Sequence, residues 1–101
     1  MKTYSFSLTA ERDGSFVPKR LDPQANGFLV DAEILFESPT PNSLTVGLVS
    51  PAGNTRTLIS NMVSSGFLGL AQVAVMPPQS MMTFTGNSID SAEITVVLYY
   101  V

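Results

Sequence analysis

The chain has 101 residues, the length of one domain and too short for two. Its five basic residues (Lys2, Arg12, Lys19, Arg20, Arg56) are scattered and the net charge is −3, which argues against nucleic-acid binding. It has no histidine and no cysteine, which removes the usual nucleophile–base pairs, the common zinc sites and any disulfide framework.

The composition is 45% apolar and only 13% charged, more apolar material than one small core needs. The surplus is expected either to cover both faces of a sheet or to be buried against another chain. No apolar run approaches the roughly 18–20 residues that span a bilayer, so no membrane partner is expected. The stretch Met1–Ser7 alternates in polarity and lacks the apolar run of a signal peptide. Proline and glycine recur every few residues and leave little room for a long helix.

Residues 3–8 set Tyr4, Phe6 and Leu8 against Thr3, Ser5 and Ser7, the period-two pattern of a half-exposed strand. Residues 9–27 are the least regular part. Arg12-Asp13-Gly14 and Leu21–Gly27 read as turns or an extended arm. At roughly 19 residues, the segment is long for a loop in a compact domain and points to a function or a partner contact.

Residues 28–37 alternate again. The pattern assigns Phe28, Val30, Ala32, Ile34 and Phe36 to the core, and Leu29, Asp31, Glu33, Leu35 and Glu37 to water. Residues 44–49 and 55–60 form a hairpin around Pro51-Ala52-Gly53-Asn54, where proline presets φ and Gly53 or Asn54 accepts a positive one. Residues 67–76 are apolar on both faces. They predict a central strand or one covered by a neighbouring subunit, since Gly69 and the valines disfavour a short helix. Pro77-Pro78 ends that segment. Residues 81–85 form a further strand, followed by a turn at Gly86-Asn87-Ser88. Residues 92–101 close the chain with Ile94, Val96, Leu98 and Tyr100 on one face and Thr95, Val97, Tyr99 and Val101 on the other. About seven or eight short strands at this spacing predict a single all-β domain over residues 1–101, an antiparallel sandwich of jelly-roll type.

Only carboxylates remain as acid–base candidates. Asp31, Glu33 and Glu37 share a strand face, the spacing of a solvated amphipathic strand more than of a glycosidase pair or Ca²⁺ site. No phosphate-binding loop or dinucleotide fingerprint is present, so neither an enzymatic activity nor a cofactor is expected. Tyr4, Tyr99 and Tyr100 allow sugar stacking, with core or interface packing as the commoner use of such rings. Met76, Pro77, Pro78, Met81 and Met82 form an apolar, kinked segment that either fills the core or docks another chain. With Tyr99 and Tyr100, these residues are the candidate protein interface.

Two resemblances bear on the reading. Leu44-Thr45-Val46-Gly47-Leu48-Val49-Ser50-Pro51-Ala52-Gly53-Asn54-Thr55-Arg56-Thr57-Leu58 resembles the strand–turn–strand of proprotein-convertase P-domain jelly rolls, with Asn54 where that pattern has threonine. It implies a jelly-roll hairpin and nothing about a protease. The whole chain, with Ser/Thr-rich strands and the closing strand Ala92–Val101, resembles in type the small capsid decoration proteins of tailed bacteriophages. That resemblance implies a non-enzymatic virion component, assembled in the host cytoplasm. Such a protein would oligomerise with itself and contact a major capsid protein or another virion protein. A carbohydrate-binding module or small lectin is the alternative.

Overall fold

Alternating side chains commit most of this chain to strands whose two faces differ in character. The computed structural model describes residues 1–101. Its strands are β1 (Lys2–Thr9), β2 (Lys19–Arg20), β3 (Gly27–Glu37), β4 (Leu44–Val49), β5 (Thr55–Met62), β6 (Gly66–Phe67), β7 (Ala74–Met76), β8 (Met81–Thr85) and β9 (Glu93–Tyr100). They form two antiparallel sheets. Sheet A has the order β1-β9-β3-β6, with β7 also on β3, and sheet B the order β2-β8-β4-β5.

β6 pairs with Glu33–Ile34 and β7 with Gly27–Leu29, along the same edge of β3. They are two halves of one interrupted strand. Taken together they leave eight strands in the spatial orders 1-8-3-6 and 2-7-4-5, the arrangement of a jelly roll. Apart from the β4–β5 hairpin and the β6–β7 interruption, every connection crosses from one sheet to the other.

The core lies between the sheets. β9, flanked by β1 and β3, contributes Ile94, Val96 and Leu98, all fully buried. Leu29, Ala32 and Ile34 of β3 lie beside them, facing Leu44, Val46 and Leu48 of β4 and Met82 and Phe84 of β8. Phe84 takes edge-on contacts from Phe6 and Phe16, with centroids 6.2 and 6.5 Å away. The hairpin forms as its turn residues predict: the Gly53 amide donates to the Ser50 carbonyl (2.8 Å) and the Ser50 amide to the Asn54 carbonyl (2.9 Å).

Three expectations change. The inward set on β3 is out of phase at its start: Phe28 is about half exposed (49%) while Leu29 is fully buried. The cause is a bulge. Leu29 lies opposite Tyr100 and Asp31 opposite Tyr99, so Val30 is an extra residue that shifts the alternation. Residues 67–76 are neither one strand nor a helix. The strand breaks at 68–73, where Gly69 adopts φ 66° and its amide donates to Asp31 Oδ1 at 3.1 Å. Arg56 closes the other side of that excursion, donating to the carbonyls of Val73 (3.2 Å) and Gln72 (3.3 Å). Residues 9–27 are irregular, as expected, but are stitched to the body. Ala10, Phe16, Leu21 and Ala25 are buried, the Ala10 amide donates to the Ala92 carbonyl (2.7 Å), and the Leu21 amide to the Ser80 carbonyl (2.9 Å).

Two glycines are dictated by close approach. Gly27, at φ 122°, lies so near the Val101 carbonyl that a Cβ would collide with it. Gly47 sits mid-strand in β4, where a Cβ would meet Thr83 Oγ1 at 2.6 Å.

Candidate functional site

The sequence residues proposed for an interface separate into two groups. Met76 and Met82 are fully buried, and Tyr100 is 6% exposed; these three belong to the chain's own core. Pro77 and Met81 are half-buried, and Pro78 is exposed. Around Pro77–Ser80 the chain makes a tight turn in which the buried Ser80 hydroxyl donates to the Pro77 carbonyl at 2.6 Å. Met81 lies beside Val49 on the outer face of sheet B. Tyr99 points out of sheet A, on the opposite side of the molecule from Met81. The residues read together in the sequence therefore do not form one surface.

The outer face of sheet A does. The ladder places Thr3, Tyr99 and Asp31 in one row, Ser5, Val97, Glu33 and Phe67 in the next, and Ser7, Thr95 and Leu35 in a third. Phe28 and Val75, opposite one another, extend the face past the bulge. Phe67 is 57% exposed and Val75 66%, so this is apolar surface in water. The Phe67 and Tyr99 rings lie 6.2 Å apart at 37°, forming an aromatic step. The Phe28 position was hidden from sequence by the Val30 bulge. That of Phe67 was hidden by the break that follows it.

The face is acidic as well as apolar. Asp31, Glu33 and Glu37 line it, and none of the five basic residues occupies an outward position of sheet A. Asp31 is committed to structure, since Oδ1 accepts from the amides of Ala32 (2.8 Å) and Gly69 (3.1 Å). Glu37 Oε1 accepts from Thr95 Oγ1 at 3.3 Å, which in turn contacts Ser7 Oγ at 3.2 Å. Glu33 has no side-chain hydrogen bond of this kind and stands between Val97 and Phe67. The three carboxylates lie along a strand and do not gather into a metal-sized cage.

An open cleft of about 620 Å³ adjoins this face at Val75, between the 50–56 turn and β7, with Leu48, Pro51, Val75 and Pro77 on its walls and Arg56 at its side. Its only charged group, Arg56, is already bonded to the carbonyls of the 68–73 excursion. The cleft is lined by apolar side chains with the polar Ser50, Asn54 and Thr55, and holds no carboxylate. Comparison of the chain with protein-family models, curated proteins and solved structures finds no match.

Proposed function

We propose that the chain is a non-enzymatic structural protein of a virion, a capsid decoration or cement protein of the tailed-phage kind. In this reading, the outer face of sheet A seats on a neighbouring shell subunit. One observation carries the reading: a strip of exposed Phe28, Phe67 and Val75 with the half-buried Tyr99 on the outer face of sheet A, interspersed with Glu33 and with no basic residue at an outward position of that sheet. A fold of this type serves in virion shells and in lectins alike. The fold therefore does not choose between those uses, and the surface must.

An exposed apolar strip suits a protein partner, because a complementary surface removes the whole strip from water at once. The carboxylates along β3 favour a partner whose own apolar patch carries lysine or arginine among its apolar groups. A single face of this size binds weakly. Many copies on one lattice hold by avidity, which is how a small protein stabilises a large shell.

The test is composition. Particles produced from the genome that encodes the chain are purified on a density gradient and quantified by mass spectrometry. The expected result is incorporation at a stoichiometry set by the shell lattice, lost when Phe67→Ser and Val75→Ser are introduced together. Particles that form normally and never contain the chain refute the reading.

The Phe67–Tyr99 step beside Glu33 favours a second reading, a saccharide platform on the same face. Saturable binding on a glycan array, abolished by Tyr99→Ala, is its signature; a blank array removes it.

A further inference from the structure

Every open sandwich has edges, and an unblocked edge pairs with other chains. Three of the four edges here carry a recognisable block. β5 has two register shifts and a left-handed residue, Asn61, at φ 55°. The β6–β7 edge is broken by the 68–73 excursion. β2 is only 2 residues long.

β1 has no such block. It runs for 8 residues, pairs with β9 without a register shift, contains no proline, and carries its one charge of inward parity, Lys2, at its first residue. The short β2 also leaves this side of the sandwich uncovered. Tyr4, Phe6 and Leu8 point inward yet are only half-buried, with the Lys19 ammonium 5.7 Å from the Phe6 ring centroid.

We propose that β1 pairs antiparallel with β1 of a second copy of this chain, joining two A sheets into one continuous sheet across a two-fold axis. The occupant is a second copy because β1 is complementary to itself. Centred on Phe6, the pairing sets Tyr4 against Leu8 and Phe6 against Phe6 on the inner face. On the outer face it sets Ser5 against Ser7 and Thr3 against Thr9. Lys2 meets Ala10, so no like charges are paired between the two β1 strands. Shifting the centre by one residue to Ser5 sets Lys2 against Leu8 and spoils the match. The added strand supplies backbone partners for the free edge of β1 and covers the half-buried Tyr4, Phe6 and Leu8. The contact is isologous and closed, so it yields a dimer and no fibre. It uses the backbone edge of β1, at the margin of the outer face and away from Phe28, Phe67 and Val75, and stands without the shell assignment.

The test is a charge swap at exposed positions. Ser5→Lys with Ser7→Lys places lysine opposite lysine twice in the dimer, and Ser5→Glu with Ser7→Glu does the same with glutamate. Light scattering coupled to size exclusion, over a concentration series, is expected to show a dimer for the parent protein. Each variant alone should dimerise at least about tenfold more weakly, and an equimolar mixture should recover the dimer. Thermal unfolding of each variant checks that the fold survives, and a variant that does not fold is replaced by Thr3→Lys with Thr9→Lys and its glutamate counterpart. A parent that is monomeric throughout overturns the proposal. So do like-charged variants that dimerise as the parent does, or a mixture that stays monomeric. All of these outcomes are read on the purified chain, whereas the shell reading is tested by particle incorporation of Phe67→Ser with Val75→Ser, so failure of one is distinguishable from failure of the other.

Discussion

Replacing Gly47 with alanine tests the packing of sheet B at one atom. Gly47 lies in β4 between Thr83 of β8 and Thr57 of β5. Two effects of opposite sign meet there. Alanine restricts the unfolded chain and favours the strand, a gain of about 0.5–1 kcal/mol. Its Cβ, however, would sit 2.6 Å from Thr83 Oγ1, while the next neighbours, the Arg56 carbonyl at 3.7 Å and Thr55 Cγ2 at 4.0 Å, are in ordinary contact. Threonine is stiff at χ1, and turning it to move the hydroxyl brings its methyl group toward the same space. Overpacking of this kind costs about 1–3 kcal/mol. The collision wins, and Gly47→Ala is expected to destabilise by about 0.5–2 kcal/mol. In a Thr83→Ala background the collision is absent, and the same substitution is expected to stabilise by about 0.5–1 kcal/mol. Urea unfolding of the four proteins in this double-mutant cycle measures the coupling. An equal cost of Gly47→Ala in both backgrounds refutes the assignment to Thr83.

Leu98→Ala empties a fully buried site in the middle of sheet A. It is expected to cost about 2–5 kcal/mol, a fall in Tm of more than about 10 °C by calorimetry for a domain of this size. Arg56→Met removes both side-chain bonds to the 68–73 excursion while keeping the aliphatic stem. Amide exchange at residues 70–75 should speed up, and global stability should change by less than about 1 kcal/mol because both bonds are exposed. The Asp13 carboxylate accepts from the Ser15 hydroxyl (2.6 Å) and the Ser15 amide (3.0 Å). The Ser15 hydroxyl and then its amide hold the Asp13 pKa below the ordinary 3.8. A lowered folded-state pKa stabilises above the unfolded value and loses that contribution as pH falls through the folded one. Asp13→Asn is thus expected to flatten the acid side of the stability profile below about pH 4. NMR titration of the side-chain carboxyl provides the direct check.

The parts of this fold visible in the sequence are those whose causes are local. Pro51 and Gly53 specify their turn within a few residues, and the hairpin around them forms as expected. β1 and β9 alternate without interruption, and the parity that groups Tyr100 with Ile94, Val96 and Leu98 is the parity of the core. What the sequence hides is set by pairing at a distance. The Val30 bulge exists relative to Tyr99 and Tyr100, some seventy residues away by sequence numbering, and it turns Phe28 outward. The break after Phe67 depends on the Asp31 carboxylate on the neighbouring strand. Both features shape the outer face of sheet A, so its aromatic strip could not be assembled from period-two patterns. The methionines were ambiguous for another reason. Composition reports an apolar surplus but not its location, and Met76 and Met82 spend theirs inside.

The place of β9 between β1 and β3 has a consequence for synthesis. A ribosome delivers β1 first and β9 after every other strand, yet β1 has no partner in its sheet except β9. Until residues 93–100 emerge, the nascent chain can close the β4–β5 hairpin and little of sheet A, and the inward side chains of β1 and β3 stay open to water and chaperones. Folding of this domain is therefore a late, concerted event and not a progressive one, slow by the standards of its size because its decisive contacts join distant stretches of chain. A nonsense change before residue 93 would remove the middle of a sheet, leaving β1 with no partner and β3 with only the short β6 and β7.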